Sequence, residues 1–169
     1  MASPSKPLVA LRPMLPDDGP MLATIFITGI EEMTGDDYSP SQRAAWIGAA
    51  EDEEAFAARL RDLLTLVATV DGEPVGFASL KSPDHIEMLY VSPASVGQGV
   101  ATALCDALER LAHGRGADQV TVDASDTAQG FFALRGFEPQ QRRTICVGDE
   151  WLGQTAMRKA FLAASGTRH

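Results

Sequence analysis

The sequence predicts an α/β fold: a single domain with a mixed, mostly antiparallel central sheet of about seven strands and helices on its flanks. Three observations predict it. A chain of 169 residues suits one domain with a substantial core and is short for two. Stretches of period two and of helical spacing alternate in the order strand, two or three helices, three strands, helix, strand, helix, two strands. Turn sequences at Asp71-Gly72-Glu73-Pro74 and Gly148-Asp149-Glu150 separate neighbouring strand-like runs and fold them back as hairpins.

Taken in order, Leu8 to Arg12 reads as the first strand, and Pro16 to Gly19 as a turn in which Asp17 or Asp18 caps the next helix. Met21, Leu22, Ile25, Phe26 and Ile30 then keep helical spacing up to Gly35, so this helix faces the core. After the polar connection Asp36 to Pro40, Ser39 or Ser41 caps a short helix through Trp46. Glu51 to Leu63 is a further helix, acidic at its start and basic near its end, the order the helix dipole favours. Leu64 to Val70 and Val75 to Leu80 form a hairpin, and Asp84 to Val91 is its antiparallel neighbour. Val100, Leu104, Ala107, Leu108 and Leu111 place a helix over Gln98 to His113. Gln119 to Ala124 is a strand with Val120, Val122 and Ala124 on one face, and a helix from Thr127 to Arg135 stops at Gly136. Gln140 to Val147 and Trp151 to Lys159 make the last hairpin, and residues 1–7 and 162–169 read as flexible tails.

Composition narrows the function. Apolar content of 45% and charged content of 22% are those of an ordinary globular protein. A net charge of −9 and a pI near 4.7 argue against a nucleic-acid partner, because affinity for phosphate backbones needs clustered Lys and Arg. The acidic surface hints weakly at an amine substrate. No stretch approaches the roughly 20 apolar residues of a membrane span, and the first seven residues lack the apolar centre of a secretory signal. No membrane partner is expected, and the cytoplasm is the expected location. Cys105 falls in a helical apolar pattern and Cys146 in an alternating strand; neither has metal-ligand spacing, so both read as small packing residues and no metal is expected.

The chain is organised around the stretch from His85 to His113. Ile86 to Val91 is a buried strand closed by Ser92-Pro93, and the helix from Gln98 follows. Between them lies Val96-Gly97-Gln98-Gly99-Val100-Ala101. Glycines let backbone N–H groups approach a ligand, and a helix start offers unpaired donors with the positive end of the dipole, which together make a phosphate site. The spacing fits neither the phosphate loop of nucleotide hydrolases nor the dinucleotide fingerprint, since Thr102 stands where that fingerprint has its third glycine.

Val96 to Ala101 resembles the pyrophosphate-binding motif of the GNAT N-acetyltransferase superfamily, Gln/Arg-x-x-Gly-x-Gly/Ala, and Glu87 to Pro93 is similar to that family's central strand. Downstream, Ser125 to Phe137 resembles the second family signature, Asn-x-x-Ala-x-x-Phe/Leu-Tyr-x-x-x-Gly-Phe. The resemblance implies acetyl-CoA as co-substrate, inserted between two splayed central strands, and transfer of its acetyl group to a primary amine by direct attack. It implies that the backbone of Leu89, Tyr90 and Val91 holds the pantetheine arm. Gly97, Gln98, Gly99, Val100, Ala101 and Thr102 would receive the pyrophosphate, and Ser125, Ala128 and Phe131 would line the slot. It is also compatible with a homodimer.

An attacking amine must be unprotonated, and a free alkylamine has a pKa of roughly 10, so a base helps. Glu87, in the central strand two residues before the pantetheine contact, is the expected base; His85 shares its face by the period of two and is the alternative, placed with the acceptor. Three positions depart from the motifs. Ser125 stands at the Asn position and can still hydrogen-bond the arm. Val96 removes a side-chain donor beside the phosphates, and Phe132 replaces the tyrosine that protonates the departing thiolate. Losing that acid costs about 10² to 10⁴ in rate where the acid is needed. Tyr38 and Tyr90 are the possible substitutes, although strand alternation turns Tyr90 away from Glu87 unless a β-bulge intervenes. Tyr38 and Trp46, beside Asp36 and Asp37, are expected to wall the acceptor site, where carboxylates and aromatics suit a cation. The acceptor itself, a small-molecule or protein amine, stays open. So do two alternatives: a non-catalytic acyl-CoA sensor, and an interaction module using the Gln140 to Lys159 hairpin as its edge.

Overall fold

Seven strands and five helices follow one another in a computed structural model that describes residues 8–162. Of the tails expected at residues 1–7 and 162–169, all but Leu162 lie outside the described residues. The strands are β1 (Val9–Pro13), β2 (Leu64–Val70), β3 (Glu73–Lys81), β4 (His85–Val91), β5 (Gln119–Ser125), β6 (Glu138–Val147) and β7 (Glu150–Ala160). They form one sheet in the order β1-β2-β3-β4-β5-β7-β6, antiparallel throughout except for β4 beside β5. The helices are α1 (Gly19–Met33), α2 (Pro40–Ile47), α3 (Glu53–Asp62), α4 (Val100–Gly114) and α5 (Gln129–Leu134). This is the mixed, mostly antiparallel α/β domain that the element order predicts.

Local chemistry explains most boundaries. The β2–β3 hairpin closes through Asp71 and Gly72, both at positive φ, the twist that suits right-handed strands. Ser39 caps α2 by accepting from the Gln42 N–H (3.1 Å), while the Gln42 side chain accepts from the Ser39 N–H (2.8 Å). Asp52 caps α3 by accepting from the Ala55 N–H (3.1 Å), so the helix starts at Glu53, two residues after the expected Glu51. Asp18 differs from expectation more: its carboxylate takes two bonds from Arg12 (2.7 and 3.0 Å) and one from the Leu15 N–H (2.6 Å), so it ties β1 to the turn instead of capping α1. The Arg12 guanidinium holds this carboxyl below the usual range despite burial.

The sheet separates two cores. On one face, α4 buries Val100, Leu104, Cys105, Leu108 and Ala112 against Ala78, Leu80, Ile86, Val120 and Val122, together with Phe132 of α5. Leu104 and Leu108 are wholly buried, each contributing about 1.5–3 kcal/mol. On the other face, α1 and α3 bury Leu22, Phe26, Ile30, Phe56 and Leu60 over Val67, Phe77 and Met88. Gly76 sets the approach of α4, since a Cβ there would meet Val100 Cγ1 at 2.8 Å. Cys105 packs as expected, but Cys146 is exposed, because β6 turns Ile145 and Val147 to the cleft and so Cys146 to the opposite face.

Candidate active site

β4 and β5 pair only at His85 with Thr121 and Ile86 with Val122, then part. Where they part, a cleft of about 950 Å³ opens, lined by Glu87 to Val91 on one side and Val122 to Ser125 on the other. The loop into α4 and the residues Ala128, Phe131 and Phe132 of the α5 segment close one end; α1, Tyr38 and Trp46 close the other.

A β-bulge decides which side chains of β4 share this cleft. Ser79 pairs with Met88 and Leu80 with Ile86, so Glu87 is an extra residue without a cross-strand partner. The bulge breaks alternation: Ile86 belongs to the α4 core, whereas Met88 and Tyr90 belong to the α1/α3 core. Tyr90 is thereby turned to the side of Glu87 instead of away from it, and both line the cleft. Its ring packs edge-on to Phe26 (4.7 Å) and near Phe77 (5.7 Å) and Trp46 (6.4 Å), and burial raises its phenol pKa, keeping the proton on.

Glu87 Oε2 accepts from Arg59 Nη2 of α3 at 2.8 Å. His85 does not line the cleft; its Nδ1 lies 2.8 Å from Thr121 Oγ1, and its Nε2 is 3.9 Å from Glu87 Oε1 and 3.6 Å from Asp123 Oδ2. Asp123 also pairs loosely with Arg143 at 3.8 Å. Sequence reasoning missed Arg59 and Asp123. Asp123 carried a signal, since period two puts it on the face opposite Val122; Arg59 carried none beyond its place in a basic helix end.

The loop between β4 and α4 has the geometry of an anion cradle. Gly97 and Gly99 have φ of 86° and 84°, left-handed values that favour glycine, and a Cβ at either would meet nothing within 4 Å. The N–H groups of Gly97, Gly99, Val100, Ala101 and Thr102 have no backbone acceptor among the described residues, whereas that of Gln98 donates back to Ser95 (3.3 Å). Gln98 accordingly does not line the cleft, and the other five do. A cluster of free donors at the positive end of a four-turn helix fits a pyrophosphate.

Further along, Ser125 Oγ accepts from the Ala128 N–H (3.1 Å) and steadies the turn into α5. Phe132 is buried against Phe131 and Phe137. Tyr38 is buried too, its hydroxyl donating to the Gly153 carbonyl (2.6 Å) and accepting from the Asp126 N–H (2.8 Å). With Thr127 donating to Asp37 (2.7 Å) and Arg142 bonded to Asp126, it straps the α1–α2 loop across the ends of β5 and β7.

The α5 wall is anchored by charge. Glu109 of α4 accepts from Arg135 (2.6 Å) and Lys159 (2.7 Å), and Arg135 also reaches Asp106 (2.6 Å). Burial would raise the Glu109 carboxyl, but Lys159 and Arg135 outweigh it and hold it below its ordinary 4.5. Burial pushes the neighbouring Cys105 thiol up to about 12, so it stays protonated. A depressed folded-state pKa stabilises above the unfolded value and loses that effect as pH falls. Glu109→Gln should therefore cost about 2 kcal/mol at neutral pH and flatten the loss of stability below pH 4.5, read by melting temperature across pH.

Among the described residues, no group of three or more His, Cys, Asp or Glu is placed to hold a metal ion, and no helix is long and apolar enough to cross a membrane. Residues 34–161 match the family described as the acetyltransferase (GNAT) domain. The uncharacterized N-acetyltransferase YafP of Escherichia coli K12 is 35% identical over 151 residues, spanning 89% of this chain and 95% of that protein. A crystal structure from Rhodopseudomonas palustris, described as a GCN5-related N-acetyltransferase (Aminotransferase, Class-II), is 55% identical and superposes with a TM-score of 0.90 over 95% of this chain and 99% of that one. The PaiA N-acetyltransferase of Thermoplasma acidophilum, solved in complex with coenzyme A, shares the fold at 16% identity, with a TM-score of 0.73 over 91% of this chain and 99% of that one. With the splayed strands, the glycine cradle and these matches together, the chain belongs to the GNAT superfamily of N-acetyltransferases.

Proposed function

We propose that this protein transfers the acetyl group of acetyl-CoA to a primary amine by direct attack, with Glu87 as the base. The observation that carries the reading is a single cleft bounded by the free N–H groups of Gly97 and of Gly99 to Thr102 at one end and by Glu87 at the β4 bulge at the other. The fold neighbour PaiA was solved in complex with coenzyme A, which supports a coenzyme A ligand for this fold.

In this reading Gly97, Gly99 and the first turn of α4 hold the pyrophosphate, and the parted edges of β4 and β5 receive the pantetheine arm. Acetyl-CoA supplies a thioester whose thiolate, from a thiol of pKa roughly 8.5, leaves without needing an acid. Glu87 Oε1, the oxygen that Arg59 leaves open, takes the ammonium proton of the acceptor. The amine nitrogen then forms the amide C–N bond as the C–S bond breaks, and the second proton it sheds ends on the departing thiolate, so CoA leaves as the thiol. Phe132 has no proton to give, and Tyr38 commits its own to Gly153. Tyr90, protonated and on the Glu87 side, is the hydroxyl left to serve the thiolate.

The test is the melting temperature with acetyl-CoA, followed by thiol release with a panel of amines. Ligand at 100 times its dissociation constant adds roughly 2.7 kcal/mol, a shift of several degrees. A shift with thiol release is the expected outcome; a shift without release from any amine favours a non-catalytic acyl-CoA sensor, and no shift removes the cofactor assignment.

A further inference from the structure

Glu87 faces a second depression besides the cleft. Between α3 and β3–β4 lies a groove of about 470 Å³, with Ala58 and Leu63 on its apolar wall and Arg59, Asp62, Lys81 and Glu87 as its charges. Arg59 and Glu87 line both groove and cleft, so their ion pair stands between the two. Each has capacity left over. Arg59 donates through Nη2 alone among the described residues, and its side chain is 51% exposed. Glu87 Oε1 has no hydrogen-bond donor among the described residues. Lys81, across the strand pair from His85, is exposed and makes no ion pair among the described residues. In a chain with 14 Lys and Arg against 23 Asp and Glu, the two cations of this groove balance its two carboxylates, so the lining is neutral where the chain as a whole is acidic.

We propose, resting on the acetyl-transfer reading above, that the acceptor is a small compound carrying an anionic group beside its primary amine. Its amine sits at Glu87 Oε1, and its carboxylate or phosphate at Arg59 and Lys81. The charges discriminate. A polyamine brings a second ammonium against Arg59 and Lys81, and a polyanion meets Asp62 and Glu87, whereas a molecule with one charge of each sign satisfies both ends. The free face of the Arg59 guanidinium suits either oxyanion, and the groove is at the small end of ligand sites.

The experiment compares kcat/KM, by thiol release, for amino carboxylic acids, aminoalkyl phosphates and the uncharged amide or ester of each. The acids should exceed their neutral counterparts at least tenfold, and the carboxylate and phosphate arms decide which oxyanion is preferred. Lys81→Met should shrink that ratio about tenfold through KM, with the melting temperature unmoved because Lys81 is on the surface. Equal use of neutral and anionic amines, or a ratio that survives Lys81→Met, overturns the inference while thiol release leaves the acetyl-transfer reading standing. Release from no acceptor, with acetyl-CoA still raising the melting temperature, overturns that reading and this inference with it.

Discussion

Glu87→Gln should lower kcat by about 10² to 10⁴ at neutral pH while leaving the acetyl-CoA melting shift intact. The amide keeps the shape of the carboxylate and can still accept from Arg59, whose bond now goes to Oε2 at 2.8 Å, so the bulge and the cleft wall stay in place. What it cannot do is take a proton. The deficit should therefore shrink as pH rises towards the amine's own pKa of roughly 10, where solvent already supplies the unprotonated acceptor and a base contributes little. A structural role gives a different pattern: a lower melting temperature, weaker acetyl-CoA binding and a deficit that does not change with pH. Equal kcat in both proteins across the whole range would remove Glu87 from the chemistry.

The place of Glu87 in the cleft depends on a feature that local sequence does not encode. The central strand, the glycine loop and α4 are legible because the period changes from two to 3.6 across Gly97 and Gly99, and both periodicity and glycine act locally. The bulge at Glu87 is a matter of register: it arises from how β3 meets β4, Ser79 on Met88 and Leu80 on Ile86. Strict alternation turns Tyr90 away from Glu87, and one unpaired residue reverses that. The same holds for Asp18, which reads as a helix cap until Arg12, six positions back, claims its carboxylate. Cys146 reads as a packing residue, but β6 gives its inward face to Ile145 and Val147 and leaves the face of Cys146 exposed.

The acceptor side was less legible than the cofactor side for a related reason. A phosphate cradle is built from backbone donors in one short loop, whereas the surroundings of Glu87 come from α3, β3, β4, β5 and β6 at once. Arg59 is 28 residues from Glu87 in sequence and 2.8 Å away in space. Tyr38 and Trp46 stand in the expected wall, 5.3 Å apart edge to face, but the Tyr38 hydroxyl is already occupied by Gly153 and Asp126. Tyr38 contributes its ring to the cleft, and its polar end fastens the strap.

Gly99→Trp should abolish the melting shift produced by acetyl-CoA, a loss of affinity of at least about 100-fold, given that a 100-fold excess over the dissociation constant is worth roughly 2.7 kcal/mol. Gly99 precedes α4 at a φ of 84° with nothing within 4 Å of its missing Cβ, so an indole has room to be seated there without disturbing the core. The room it takes is that into which the N–H groups of Gly99, Val100 and Ala101 open. Backbone strain is a separate effect, since any side chain at this φ costs about 1–2 kcal/mol. Gly99→Ala isolates it: the methyl imposes the strain without filling the cradle. Both variants should melt lower than the parent by similar amounts without ligand, yet only the alanine protein should still be protected by acetyl-CoA. Protection of both would place the pyrophosphate elsewhere and leave the loop as a tight strand-to-helix turn. Loss of protection in both would make backbone conformation, rather than open space, the property that Gly99 supplies to the cradle.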